Sequence, residues 1–356
     1  MTPTSMDITD IPVEGYQRVA RCKDAATGLH ALIAVHDTTL GPALGGMRLW
    51  NYESEEDALF DVTRLAKGMT YKSAVAGTGL GGGKCVIIGD PETVKTPELF
   101  EAMGRFIDDF DGAYITAEDM NIGIADLRHV KKTTDYVTGL SREEGGSGNP
   151  SPYTAYGCVV GIEAAAEYKY GSRDLTGKHI LIQGVGAVGG EMARLLKERG
   201  AKITICDIKD DRVAELCKEY GYDSVDEETH LEVDCDIYSP CARGAGINDE
   251  TIPQLKCDIV AGCANNMLLK PRHGDVLREK GILYAPDYVV NAAGIINVSV
   301  ERVPGGYNEE EAMRRINLIA DNLREVFELA DKEGIATNRA AERLAQIRIE
   351  AARQPQ

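Results

Sequence analysis

Three polar side chains sit in segments that are otherwise apolar or glycine-rich: Lys72 in "GMTYKSA", Lys84 in "GLGGGKCV" and Asp119 in "ITAEDMN". Two lysines and a carboxylate make a usable chemical set. One ammonium can hold an anionic substrate group. A second lysine, close to that positive charge and partly desolvated, has its pKa lowered and can serve as a base. The carboxylate can carry protons to and from an amine. Glycines around Lys84 would let a substrate approach the backbone. "GPALGGMR" (41–48) reads as a second glycine-rich loop with the same capacity, or as a plain turn. Taken singly, Lys72 also fits a solvated helix-end lysine and Asp119 a loop cap.

The stretch "GTGLGGGKCVIIG" (77–89) looks at first like a phosphate loop. It fails as one: the Walker pattern needs glycine where Thr78 stands and a hydroxyl where Cys85 stands. "ILIQGVGAVGGEMARLLKERG" (180–200) is the better candidate. Gly184, Gly186 and Gly189 form G-x-G-x-x-G between an expected strand and an expected helix. The first glycine permits the tight turn, the second lets the backbone approach a pyrophosphate, and the third lets helix and strand pack closely. The following strand, "AKITICD", ends in Asp207, 207 − 184 = 23 residues beyond the first glycine. A carboxylate there suits adenosine ribose hydroxyls and repels a 2′-phosphate, which favours NAD over NADP; an ordinary loop carboxylate is the plainer reading.

Elements must carry these residues. "LHALIAVHDT" (29–38) reads as a strand, 54–77 as a helix capped by Ser54, "KCVIIGD" (84–90) as a buried strand, 96–110 as a capped helix with an early proline, and 113–121 as a short strand. "SREEGGSGNPSP" (141–152) is a candidate junction. From residue 178 short apolar strands alternate with helices, the rhythm of a parallel sheet. One long helix is expected over 309–333 and a last one over 337–352. The fold class is thus α/β with two domains: an N-terminal α/β domain over 1–140, joined by the C-terminal helix (335–356), and a Rossmann-like doubly wound domain over 141–334.

Composition bounds the partners. The chain has 356 residues and a net charge of −18, which argues against nucleic acid and anionic membrane. No apolar run reaches membrane-span length and no secretory signal is visible, so a cytoplasmic protein is expected. The nine cysteines form no Cys-x-x-Cys pair and read as reduced, buried thiols. Neither they nor the six scattered histidines suggest a metal site.

Together "LGPALGGMRLW", "RLAKGMTYKSAVAGTGLGGGKCVI", "YITAEDMN", "GSGNPSPYTAYG", "IQGVGAVG", "SPCARG", "AGCANN" and "YAPDYVVNAAGIINV" resemble the amino acid dehydrogenase family of glutamate, leucine, phenylalanine and valine dehydrogenases, in that family's order and over nearly the whole chain. The likeness is strongest to the leucine-active members. It implies reversible, NAD-dependent oxidative deamination of an L-amino acid to a 2-oxo acid and ammonia, and a homo-oligomer, dimer to octamer, assembled through the first domain. It also implies a cleft between the domains that opens and closes about 139–152 and the C-terminal segment. By residue match, Lys72 would bind the substrate carboxylate with help from Gly45 and Gly46, Lys84 would be the general base, and Asp119 would exchange protons with the amino nitrogen. Asn266 would contact substrate or the nicotinamide ribose, and Thr154 would lie near the carboxamide. Gly184, Val185, Gly186, Ala187, Val188, Gly189, Asp207, Cys241 and Ala242 would line the dinucleotide.

The same match places Leu44, Ala117, Ile295 and Val298 around the substrate side chain. All four are aliphatic, though they would equally suit an ordinary core. Glutamate dehydrogenases typically carry lysine at the position of Leu44, so glutamate here would leave a charge unpaired. A branched-chain substrate is expected: leucine, also valine or isoleucine. The alternatives are a phenylalanine or other aromatic specificity, or a catalytically silent NAD-binding regulator.

Overall fold

The computed structural model describes residues 6–242 and 244–354. Two compact units emerge. One comprises Met1–Asn149, Val298–Asn308 and Gln346–Gln356, the other Pro150–Asn297 and Glu309–Ala345.

The first unit is built on a mixed six-stranded sheet: β1 (Asp7–Asp10), β2 (Arg18–Asp24), β3 (Leu29–Asp37), β4 (Ala43–Trp50), β5 (Gly81–Ile88) and β6 (Tyr114–Glu118), in the order β1-β2-β3-β5-β4-β6. The first three pairings are antiparallel, and β5-β4-β6 run parallel. Alternation along the strands divides the core in two. On one face Leu32, Ala34 and Val86 pack against Ala58, Val62 and Ala66 of α1 (Glu55–Ala76). On the other, Ile33, Met47, Cys85 and Ile87 pack against Phe100, Met103 and Phe106 of α2 (Pro97–Asp108) and Leu127 of α3 (Ile124–Lys131).

Local chemistry fixes the helix ends. The Ser54 hydroxyl accepts the Asp57 amide at 3.0 Å, three acids fill the first turn of α1, and Gly77 ends it at φ 64°. For α2 the Thr96 hydroxyl accepts the Leu99 amide at 3.1 Å and Pro97 occupies the first turn.

The second unit contains α4 (Ser151–Tyr170), β7 (His179–Gln183), α5 (Ala187–Glu198), β8 (Lys202–Cys206), α6 (Asp210–Tyr220), β9 (Asp223–Ser224), β10 (Ile237–Pro240), β11 (Ile259–Val260), α7 (Arg272–Glu279), β12 (Leu283–Tyr284), α8 (Asp287–Val290), most of α9 (Ala293–Ser299), α10 (Glu309–Asn317), α11 (Ile319–Glu333) and the start of α12 (Thr337–Arg353). Its sheet is wholly parallel in the order β12-β11-β10-β7-β8-β9. Counted from β7 this is the doubly wound dinucleotide order, with the strand direction of travel reversing between β7 and β10.

Several elements depart from the sequence expectation. Residues 41–48 are not a loop: Gly45 and Gly46 lie inside β4. Gly81, Gly82 and Gly83 belong to β5 and do not precede it. The helix expected over 309–333 is two segments, because the chain tightens at Leu318, whose amide bonds back three residues to the Arg315 carbonyl at 3.1 Å. All nine cysteines are free, but only Cys22, Cys85, Cys158, Cys206 and Cys235 are buried; the other four are partly exposed.

Candidate active site

Register decides which side chains of β5, β4 and β6 share a face. Leu44 lies opposite Gly82 on one side and Ile115 on the other, and Gly46 lies opposite Ala117. Alternation then puts Leu44, Gly46 and Arg48 of β4, Gly82 and Lys84 of β5, and Ala117 of β6 on the face that α1 covers. Asp119 follows directly after β6.

Lys84 is only 6% exposed, and its Nζ lies 2.7 Å from Asp119 Oδ2. The same oxygen accepts Nε of Arg48 at 3.1 Å. Arg48 Nη1 donates to Asp61 Oδ2 of α1 at 2.9 Å, and the Tyr52 hydroxyl donates to that oxygen at 2.7 Å. Burial lowers the Lys84 pKa; Asp119 opposes the shift and the nearby Arg48 cation adds to it. For Asp119 burial pushes the carboxyl up, but Lys84 and Arg48 outweigh it, and the group is held below the usual carboxylate range. The result is an ionised acid beside a lysine that gives up its proton more readily than a free one.

The glycines around Lys84 serve the protein's own packing. A Cβ on Gly82 would come within 2.0 Å of the Thr70 amide nitrogen of α1, and one on Gly81 within 2.1 Å of the Asp37 carbonyl. On Gly83 it would meet the Tyr114 ring at 2.8 Å, and on Gly45 the Gly83 carbonyl at 1.8 Å. The expectation that the triplet clears space for a ligand is therefore corrected: the triplet lets α1 and Tyr114 close on β5. Lys72 is half-buried on α1, two residues beyond Thr70, and Lys84 is two residues beyond Gly82. Lys84 thus leaves β5 on the side that α1 covers.

In the second unit the loop after β7 and the loop after β10 meet at the reversal of strand order, where doubly wound sheets hold ligands. Gly184 takes φ +96°, and a Cβ there would strike Ala242 at 2.5 Å. On Gly189 a Cβ would fall 2.0 Å from the Gly184 carbonyl, so that glycine brings α5 onto the loop. Gly186 has open space where its Cβ would be, at the N-terminus of the twelve-residue α5. That cradle fits a pyrophosphate. Asp207, at the end of β8, is half-buried and anchored: Oδ2 accepts the Val185 amide at 2.8 Å and Oδ1 the Lys209 amide at 3.0 Å. A carboxylate has about four acceptor positions, so both oxygens retain capacity for ribose hydroxyls.

The remaining expected residues are distributed as follows. Ala187 and Val188 open α5. The Cys241 amide bonds to the Gln183 carbonyl at 2.7 Å, tying the two loops together. Thr154 lies in the first turn of α4 and donates to the Pro150 carbonyl at 3.0 Å. Asn266 is exposed, in a left-handed conformation at φ 52°. Ile295 and Val298 are three apart on α9, neighbours on one helical face. Sequence reasoning missed Arg48, Asp61 and Tyr52. The available signal was a charged residue at position 48 inside an otherwise apolar and glycine-rich strand. Among the described residues no His, Cys, Asp and Glu group is placed to hold a metal ion, and no helix is long and apolar enough to cross a membrane.

The chain matches two family models. The Glu/Leu/Phe/Val dehydrogenase dimerisation domain covers residues 16–136, and the Glutamate/Leucine/Phenylalanine/Valine dehydrogenase model covers 145–223 and 204–356. The chain belongs to the Glu/Leu/Phe/Val dehydrogenase family. It is therefore an oxidoreductase of the amino acid dehydrogenase class, a class that is NAD-dependent. A leucine dehydrogenase of Geobacillus stearothermophilus is 53% identical over 95% of this chain and 92% of its own. One from Bacillus cereus is 51% identical over 94% and 91%. The crystal structure of L-tryptophan dehydrogenase from Nostoc punctiforme superposes with a TM-score of 0.86 at 41% identity, covering 96% of this chain and 97% of that one. Similarity to the leucine enzymes thus exceeds similarity to this aromatic one.

Proposed function

We propose that the protein oxidatively deaminates a branched-chain L-amino acid, leucine above all and also valine and isoleucine, to the 2-oxo acid and ammonia, reversibly and with NAD. The observation that carries the reading is the Lys84–Asp119 pair at 2.7 Å on the strand face that also bears Leu44 and Ala117. Two aliphatic side chains beside an acid–base pair suit an apolar amino acid and leave a second carboxylate without a partner.

NAD, held by 184–189 and Asp207, supplies the hydride acceptor when bound. The chain's own residues do the rest. Lys72 holds the substrate carboxylate, with the Gly45–Gly46 backbone beside it. Asp119 takes a proton from the substrate ammonium so that the nitrogen lone pair can assist hydride loss from Cα. Lys84 Nζ takes one proton of the water that attacks the resulting iminium carbon, and Asp119 returns a proton to the nitrogen. As ammonia leaves, the carbinolamine hydroxyl releases its remaining proton to solvent and becomes the 2-oxo carbonyl. Leu44, Ala117, Ile295 and Val298 contact the substrate side chain; Thr154, Asn266, Cys241 and Ala242 border the dinucleotide. Assembly as a homo-oligomer through the first unit is consistent with the dimerisation-domain match over 16–136.

The test is NADH formation at alkaline pH with a panel of L-amino acids. Leucine, valine and isoleucine should be turned over, with glutamate and phenylalanine far behind. Phenylalanine as good as leucine would overturn the side-chain assignment.

A further inference from the structure

Arg48 has no part in the scheme above, yet it bonds directly to the acid of the acid–base pair. Its guanidinium spans two carboxylates: Nε donates to Asp119 Oδ2 at 3.1 Å and Nη1 to Asp61 Oδ2 at 2.9 Å. Asp61 is itself held, by the Tyr52 hydroxyl on Oδ2 at 2.7 Å and by Arg64 Nη2 on Oδ1 at 2.8 Å. The side chains of Arg48 and Asp61 are 18% and 17% exposed, so these contacts are shielded from solvent. Arg48 departs from the central strand of the parallel trio, Lys84 from one flanking strand, and Asp119 from the end of the other. Two cations from different strands thus close on one oxygen of Asp119.

We propose that Arg48 is a positioning residue for catalysis: anchored to α1 through Asp61, it holds the Asp119 carboxylate in register with Lys84, so that acid and base keep their mutual geometry through the cycle. This rests on the reaction proposed above. The physical reason is the planar fork of arginine. It fixes the direction of both hydrogen bonds, which a lysine ammonium cannot do. Without it Asp119 would keep one cation on a flexible four-carbon stem, and Asp61 would lose its strand partner. Electrostatics supports the geometry. The charged and titratable groups facing Lys84 are Asp119, Arg48 and the Cys85 thiol, which burial pushes up; those facing Asp119 are Lys84, Arg48, Cys85 and the buried Tyr114; those facing Arg48 are Asp119, Asp61 and Tyr52. Removing Arg48 takes away a cation that disfavours protonated Lys84, so Lys84 should lose its proton only at higher pH.

The experiment uses the full-length protein, with NADH formation from leucine followed across pH. Arg48→Met is expected to lower kcat about 100-fold, to leave the KM for leucine and NAD within a few-fold, and to move the rise of rate to higher pH. Arg48→Lys restores charge but not the fork: the pH position should return towards wild type while kcat stays low. Asp61→Asn should lower kcat as Arg48→Met does but more weakly, without moving the rise of rate to higher pH, because the Arg48 cation remains. NAD binding, followed by quenching of protein fluorescence, reports folding of each variant; if Arg48→Met does not fold, Arg48→Lys and Asp61→Asn decide. Variants that fold and keep wild-type kcat and pH profile would overturn the inference alone. Wild-type protein that reduces NAD with no amino acid in the panel would overturn the functional reading beneath it.

Discussion

Lys84 reaches Asp119 across an intervening strand. β4 lies between β5 and β6, yet Nζ and Oδ2 are 2.7 Å apart. Neighbouring strands are about 4.8 Å apart, so the two residues leave backbones about 10 Å apart. The crossing passes over Gly46, where a Cβ would lie 2.7 Å from the Asp119 Cβ and 2.5 Å from the Glu118 carbonyl.

Gly46→Ala should therefore displace Asp119 without unfolding the unit. We expect kcat to fall about 100-fold, the scale of an ångström-sized misplacement of a reacting group, with circular dichroism and NAD binding retained. A rate within a few-fold of wild type would show that the carboxylate tolerates the shift.

Lys84→Ala should remove the base. Loss of a positioned general base costs about 10²–10⁴-fold in rate, and NAD should still bind because its loop lies in the other unit. In the wild type the base must be unprotonated, and burial lowers its pKa below the ordinary 10.5. The rate should rise with pH through a value below 10.5 and fall away on the acid side as Lys84 takes up a proton. A pH–rate profile that rises only above that value would count against Lys84.

Asp207→Ser should raise kcat/KM for NADP relative to NAD. The variant removes the charge that repels a 2′-phosphate and the acceptor of the Val185 amide, so NAD itself should bind about tenfold more weakly, the cost of one charge-assisted hydrogen bond. An unchanged cofactor ratio would exclude Asp207 from the ribose site.

Gly82→Ala separates packing from ligand contact. Its Cβ would meet backbone atoms of Thr70 at 2.0–2.4 Å, and backbone cannot swing aside. Overpacking of this kind costs about 3 kcal/mol, which for a unit of this size lowers Tm by about 5–10 °C. An unchanged Tm with a raised substrate KM would return the glycine to a ligand-facing role.

The strand–glycine loop–helix unit after β7 was legible because its signal is local. Strand, G-x-G-x-x-G, helix, second strand and terminal acid occupy contiguous residues 180–207, and each glycine answers a constraint set by its immediate neighbours. The caps at Ser54 and Thr96 were legible for the same reason. The glycine triplet was misread because its reason is remote: Thr70, Asp37 and Tyr114 occupy the space, and only the assembly of α1, β3 and β6 around β5 brings them there. Gly45 and Gly46 looked like a loop because glycine is rare inside strands; the ladder with β6 runs straight through them.

By itself the chain's order of residues determined the α/β class, the glycine loop between β7 and α5, the capped helices and, through family resemblance, which lysines and carboxylate to watch. The tertiary structure decided how they are held. Pairing β4 between β5 and β6 set the register that puts Lys84, Gly46, Arg48 and Asp119 together, and packing α1 over that face supplied Asp61. Arg48 was invisible beforehand because its meaning lies in two carboxylates 13 and 71 residues away, and no local spacing encodes contacts that strand pairing alone creates.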